Sequence, residues 1–488
     1  MQVVSLLSKI LKPSRRGLSI AAILSVVAFY AWWFSIVTID THRGLGTSAY
    51  DIGLYDQGIW LLSRFKAPFV TLMGRNMFGD HASLILLFFV PLYWLFPGSE
   101  TLLVVQSMAI ALGAIPLYLY ARKRLESDWL AVIAGMCLLL HPAVGLSNLE
   151  NFHPDSMLGL FVPLALYAAL ERKWRLYLVA VLLCALVKED VVLVLVPLGI
   201  WVAVKRDRRI GYGTIFISLL ATLAGMFVLM RSLIGVPTRN GWRIPFGGVG
   251  GFIKKSVTSP SSVLEYLTSE GRLFYLWQMV SPVGAIFLLM PDLALVSGLV
   301  LLGNIVSTFW YQFHLGYHYS LVAVPALVFG SIYAIGRVSK KGRIILCSAM
   351  LICSVTTSVL WGSFGFSRQP GYHWPASHPM AVAARDISKD VPRNAVISVY
   401  HSLAPHLAHR EKIYMFPNPF RVLLYGTDVA IEGSRLPESA LVEYVLLPVQ
   451  RDEQMTKDWQ AFSAEYELSR ANYGFELYRR ISGPAPSD

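Results

Sequence analysis

The sequence predicts an α-helical polytopic membrane protein with a small α/β domain at its C-terminal end. Composition is the first observation behind this. Of 488 residues, 55% are hydrophobic and only 15% are charged, where a soluble globular chain carries roughly 25% charged residues. The second is the recurrence of apolar runs near the ~20 residues that cross a bilayer. The third is a change of texture after about Trp361, where short alternating segments replace long oily ones. The formal charge of +12 is gathered in clusters between the apolar runs. That distribution marks membrane topology and excludes nucleic acid as the reason for the excess.

The elements follow in order. Lys9 to Arg16 form a basic patch before an apolar run from about Gly17 to Val37. Bulky Trp32, Trp33 and Phe34 stand where signal-peptide cleavage needs small residues, so the run is expected to stay as the first crossing helix. Further runs begin near Thr101, Trp129, Met157, Leu176, Val191, Gly211, Leu273, Leu293, Ser320 and Arg343, which makes about eleven helices. One more stretch, ASLILLFFVPLYWLFPG from Ala82, offers only ~14 apolar residues before Pro97-Gly98, with Pro91 inside.

The positive-inside rule places that stretch. If it does not cross, the basic clusters at Lys9–Arg16, Arg122–Arg124, Glu171–Arg175, Lys205–Arg209 and Arg337–Arg343 all fall on the cytoplasmic side. If it crosses, the four later clusters flip outward. A juxtamembrane or re-entrant helix is therefore expected, inside a first outer loop at 39–100. The transmembrane domain then spans 1–361 with a cytoplasmic N-terminus, a multi-pass protein of the plasma membrane. Residues 362–488 form an extracytoplasmic α/β domain, joined by the linker SFGFSRQPGYHWPASHP. In it NAVISVY, VEYVLLPV and GFELYRR read as strands, and HPMAVAARDIS and RDEQMTKDWQAFS as helices. The four cysteines, Cys137, Cys184, Cys347 and Cys353, lie inside apolar runs and imply neither a disulfide framework nor a thiolate metal site.

With this topology five polar segments share the outer face: YDIGLYDQ, FGDH, NLENFHPD, VKED and FHLGYHYS. Acids among aromatic residues beside a membrane are costly, which points to use. Asp51 and Asp56 are candidates for the base that activates an acceptor hydroxyl. On a helix they would lie roughly 140° apart, so a bent loop is needed to bring them together. Asp155 follows His153 and Pro154 at a helix start, where it is suited to cap the helix or to hold a hard divalent cation, Mg or Mn. Asp80 is expected to cap the helix that follows it, and His81 to contact a phosphate. Lys188, Glu189 and Asp190 crowd a tight turn between two apolar helices. His314 and His318 stand at i and i+4, a spacing that on a helix presents two imidazoles together, although Gly316 weakens that helix. The basic segment from Arg231 to Lys255 carries Arg239 and Arg243 among glycines and is expected to be a mobile loop that clamps a lipid phosphate. No Walker loop, nucleophile elbow or kinase signature is present, so cytoplasmic nucleotide chemistry has no support.

These segments in this order, with HSLAPHLAHREKIYMFPN in the tail, resemble an uncharacterised membrane-protein family, domain of unknown function 2079. The resemblance runs from about Ser48 to Asn418. More distantly the arrangement is similar to GT-C class membrane glycosyltransferases. Those have an acid and a juxtamembrane helix in the first outer loop and a second acid in the next. By that similarity Asp56 or Asp51 looks like the catalytic base, and Asp155 like the second acid that helps hold a metal. Asp56-Gln57 departs from the adjacent acids of many members. The resemblance implies transfer of a sugar from a polyprenyl-phosphate donor to an acceptor at the outer membrane face. The alternative is a transporter or flippase of a lipid-linked or small polar solute, in which the same acids and histidines relay protons or bind cargo.

Overall fold

The computed structural model describes residues 14–234, 243–368, 373–426 and 429–481. Lys9 and Arg239 lie outside them. Helix α1 (Arg15–Arg43) opens on Ser14, whose hydroxyl accepts the Gly17 amide proton at 3.0 Å. Its 29 residues reach about 43 Å, longer than the ~30 Å hydrocarbon core. Ser19, Ile23, Val27, Tyr30, Phe34 and Thr38 recur every three or four residues and are buried as one stripe, while Leu24, Phe29, Trp32 and Ile36 on the far side are exposed. Such a helix faces protein on one side and lipid on the other.

The first loop follows. A short π-helical turn at Ala49–Gly53 leads into α2 (Leu54–Ser63), then strands β1 (Phe69–Val70) and β2 (Arg75–Asn76) pair as a hairpin. The apolar stretch Leu84–Leu95 is a 3-10 turn running into α3 (Val90–Leu95), with Pro91 in its first turn. At 1.5 Å per residue it extends only about 18 Å, too short to cross. Phe88, Trp94, Leu95 and Phe96 remain exposed along it, as a helix lying at a membrane boundary requires. Gly98 takes φ 147°, a conformation other residues rarely adopt, and turns the chain straight into the next helix.

Then come α4 (Ser99–Leu112) with α5 (Ala114–Leu125), α6 (Asp128–Leu140), α7 (Pro142–Glu150), α8 (Leu158–Leu170), α9 (Trp174–Ala185), α10 (Val192–Lys205) and α11 (Arg208–Leu223). Among the described residues five helices are long and apolar enough to cross: Arg15–Arg43, Ser99–Leu125, Arg208–Ile234, His318–Ile335 and Lys340–Trp361. The pair α6–α7, bent by 46° at the break before Pro142, is apolar enough to make a sixth when taken as one span. The other expected crossings are shorter pieces, for physical reasons. Pro163 and Pro197 sit inside α8 and α10. The run from Leu273 is broken at Pro282 and Gly284 into a nine-residue helix and 3-10 turns. The basic segment also differs from the mobile loop expected of it. Helix α12 (Gly248–Thr258) takes up its end from Gly248 to Lys255, and α13 (Pro260–Thr268) follows it. After α14 (Gly298–Val306), α15 (Val324–Ile335) is buried on every side at the centre of the bundle, and α16 (Lys340–Trp361) closes it.

The tail forms a five-stranded sheet of order β4-β3-β5-β7-β6. Here β3 is Ile397–Val399, β4 Ile413–Met415, β5 Tyr444–Pro448, β6 Tyr466–Asn472 and β7 Phe475–Arg480. The first three are parallel, with Ile397 opposite both Ile413 and Tyr444; the last two add an antiparallel hairpin. Helices α17 (Pro379–Ile387) and α18 (Glu453–Gln460) accompany the sheet.

Charge separates along the bundle. Near the start of α1, Ser19 bonds Tyr118 of α5 at 2.8 Å, and near its end Arg43 pairs with Glu100 at the start of α4, so α1 runs antiparallel to α4–α5. At the Ser19 end Lys123, Arg124, Arg206 and Arg343 line one cleft with Glu126 and Glu171. The acid- and histidine-bearing segments collect at the other end.

Candidate active site

Three linked groups of side chains make up that end. The first is built from the end of α7, the loop after it, and the 3-10 turn before α15. Glu150 Oε2 accepts the His318 backbone proton at 2.7 Å and lies 3.1 Å from His318 Nδ1 and 3.6 Å from His153 Nε2. The His153 and His318 rings stack with centroids 3.6 Å apart. The loop that carries His153 is fixed from α4. Gln106, fully buried, donates to the Asn148 and Asn151 carbonyls and accepts from the His153 amide and the Ser156 hydroxyl.

Asp51 approaches this group from the first loop. Its Oδ2 accepts from Ser48 Oγ at 3.3 Å and Asn151 Nδ2 at 3.2 Å, while Oδ1 faces His153 Nε2 at 4.0 Å. The side chain is one-third exposed (33%), so the carboxylate is both anchored and reachable. Burial pushes its pKa above the ordinary carboxylate value, and Glu150 adds to this against the pull of His153.

The second group centres on Lys188, buried at the mouth of the α9–α10 turn, 3.6 Å from both Asp155 and Asp190. Burial works against its charge, but Asp155, Asp190 and Glu189 outweigh it and hold the ammonium protonated. In the third group His81 Nδ1 meets Glu189 Oε1 at 2.8 Å and Arg75 donates to Asp80 at 2.9 Å. Burial and Lys188 disfavour the His81 proton, yet Glu189 keeps its pKa above the usual value. Tyr55 of α2 is buried near all three, and its hydroxyl feels the charges of Lys188, Asp80, Asp155 and Asp51. At the edge Arg243 stacks 4.3 Å over Phe309 and interacts with Tyr319, which also feels Lys188 and Glu150.

The structure thus brings together Asp51, Asp80, His81, His153, Asp155, Lys188, Glu189 and His318, with Arg243 beside them. Arg239 lies outside the described residues. Two expected members stand elsewhere. Asp56 is buried in α2, and its oxygens are taken by Tyr93 Oη at 2.7 Å, Ser99 Oγ at 2.8 Å and His409 Nε2 at 2.9 Å. It fastens the juxtamembrane helix and the C-terminal domain to α2. Its neighbour Gln57 does likewise, donating to Thr71 Oγ1 and to the Arg410 and Glu411 carbonyls. His314 is exposed, its Nδ1 accepting from the Gly316 amide, because extended backbone replaces the helix that would pair it with His318. Asp80 does not cap a helix; Asn76 caps the turn that Asp80 ends. Asp155 makes no capping hydrogen bond either, and its carboxylate lies 3.6 Å from the Lys188 ammonium. Sequence reading missed Glu150. The signal was present as Glu150-Asn151-Phe152-His153, an acid three residues before a histidine.

The fold can be set beside known structures. ArnT from Cupriavidus metallidurans bound to undecaprenyl phosphate is similar over 95% of this chain and 99% of that one, with 12% identity and a TM-score of 0.56. The apo state of that protein gives 11% identity and 0.54 at the same coverage. The mycobacterial arabinofuranosyltransferase AftD matches 94% of this chain and 42% of its own length, with 14% identity and a TM-score of 0.42. At these identities the ArnT likeness is one of fold. No curated protein matches the sequence. The family model for DUF2079, predicted membrane proteins, matches residues 41–479, and the chain belongs to that family.

Proposed function

We propose that the protein is a membrane glycosyltransferase that moves a sugar from a polyprenyl-phosphate donor to an acceptor hydroxyl on the extracytoplasmic side. The observation that carries this reading is Asp51: an anchored, partly exposed carboxylate with a raised pKa, at the same end of the bundle as a buried, protonated Lys188. Likeness of fold to a protein solved with undecaprenyl phosphate supports a lipid-linked substrate.

The chemistry divides between these two groups. The bond from the anomeric carbon to the phosphate oxygen breaks, and the phosphate leaves with the electron pair. The acceptor oxygen bonds the anomeric carbon, and its proton passes to Asp51. Charge growing on the phosphate needs a fixed cation in a water-poor site, which Lys188 supplies from behind and Arg243 from the rim. A raised carboxyl pKa makes Asp51 a stronger base than a solvated aspartate.

The experiment is incubation of the purified full chain, in lipid nanodiscs, with labelled polyprenyl-phosphate sugars and an extract of envelope acceptors. Release of polyprenyl phosphate with label in an acceptor is the expected result. In sealed proteoliposomes, movement of the lipid across the bilayer with the sugar bond intact would refute transfer and support the flippase reading.

A further inference from the structure

We infer that Glu150, His153 and His318 form a binding site for a zinc-class transition-metal ion. The donor atoms, one carboxylate oxygen and two imidazole nitrogens, all lie within 4.8 Å of one another. Ligands at about 2.0–2.2 Å from a tetrahedral zinc stand about 3.3 Å apart. The Glu150–His318 and Glu150–His153 separations, 3.1 and 3.6 Å, bracket that spacing.

A second observation points the same way. His153 Nε2 is buried and has no hydrogen-bond partner, although the residue is only 5% exposed and the nitrogen faces Glu150. A buried polar atom without a hydrogen bond is costly, and a metal ion held between His153 and Glu150 would satisfy it. The rings of His153 and His318 stack with centroids 3.6 Å apart, which brings both imidazoles to the same side of Glu150. Two imidazoles and one carboxylate are the donor set of catalytic zinc, whereas Mg prefers an oxygen octahedron. The set is also braced from outside. The His153 backbone is held by Gln106, and the His318 amide donates to Glu150.

Three protein ligands leave one position open, and Asp51 Oδ1 lies 4.0 Å from His153 Nε2 beside it. An oxygen of the substrate, hydroxyl or phosphate, is the ligand suited to that position. The ion's part in transfer rests on the function proposed above; its binding does not.

The test is a zinc titration of the chelator-stripped full chain in detergent, with bound metal counted by mass spectrometry and turnover assayed separately. One zinc per chain is expected, with affinity falling at least tenfold in His153→Asn and His318→Asn and unchanged in His314→Asn. Zinc should raise the melting temperature of the parent chain but not of His153→Asn. Zinc binding that survives both histidine substitutions would overturn the inference, as would no binding above the His153→Asn level. If the histidine variants do not fold, cobalt(II) in the parent chain decides. A visible spectrum of nitrogen and oxygen ligands supports the site, and a thiolate charge-transfer band overturns it. Metal bound without turnover would count against the proposed function alone, and turnover in metal-free protein would overturn the ion's part in transfer but not its binding, which the titration decides.

Discussion

Asp51 and Asp56 stand five residues apart in one oily run, and their surroundings give them opposite roles. Asp51 keeps an oxygen facing His153 and part of its surface open. Asp56 is 2% exposed and saturated by Tyr93, Ser99 and His409. Replacing Asp56 with Ala should therefore lower the stability of the protein by about 3 kcal/mol, seen as a drop in melting temperature, with turnover lost only in proportion to unfolded protein. Lys188→Met should act differently. In the proposed reaction it removes the cation that compensates the leaving phosphate, and kcat should fall about 10²–10³-fold in steady-state assays at saturating donor. The sequence marked both aspartates, because acids are rare in such a run, but it could not rank them. Their partners come from residues 93, 99 and 409 for one and 48, 151 and 153 for the other. The His314–His318 pair misled for a related reason: spacing implies a shared face only on a helix, and that segment is extended and turned.

The first loop and the C-terminal sheet behave as one joined element. Thr71 Oγ1 both donates to the Ile413 carbonyl and accepts from its amide, at 2.7 and 2.9 Å, so it satisfies both backbone groups at the start of the edge strand β4. Met73 and Arg75 reach Gly426 in the same way, and His409 closes on Asp56. Burial lowers the His409 pKa, but the Asp56 carboxylate outweighs it, so the folded value is raised. The sign follows: the pair's stabilisation is fully present below the ordinary histidine value of about 6.5 and is lost as pH rises through the folded value. Melting curves of the parent chain and His409→Asn should thus differ most near pH 6 and converge toward pH 9. A gap that stays constant over that range would contradict the ion pair. Strands β3, β5 and β7 and helices α17 and α18 fall within segments whose alternation or amphipathic pattern reads directly from sequence. Strand β4 did not, being three residues long, and the docking through Gln57 did not, because such contacts link positions about 350 residues apart.

At the scale of the molecule, basic residues line a cleft at one end of the bundle, and the acids and histidines meet at the other. This polarity was legible, because one placement of the short apolar stretch put every basic cluster on one side. The number of crossings was less so. Proline and glycine interruptions cut several apolar runs into pieces whose path only tertiary packing decides. The positive-inside rule predicts an orientation for this polarity: a cysteine at exposed Arg393 should react with an impermeant maleimide in intact cells, and one at exposed Lys341 only after permeabilisation. The catalytic account rests on the end where the acids meet, and single-turnover release of polyprenyl phosphate by Asp51→Asn tests it most directly. The predicted result is a rate loss of about 10²–10⁴-fold with an unchanged melting temperature. An Asp51→Asn variant that turns over at the parent rate would contradict it.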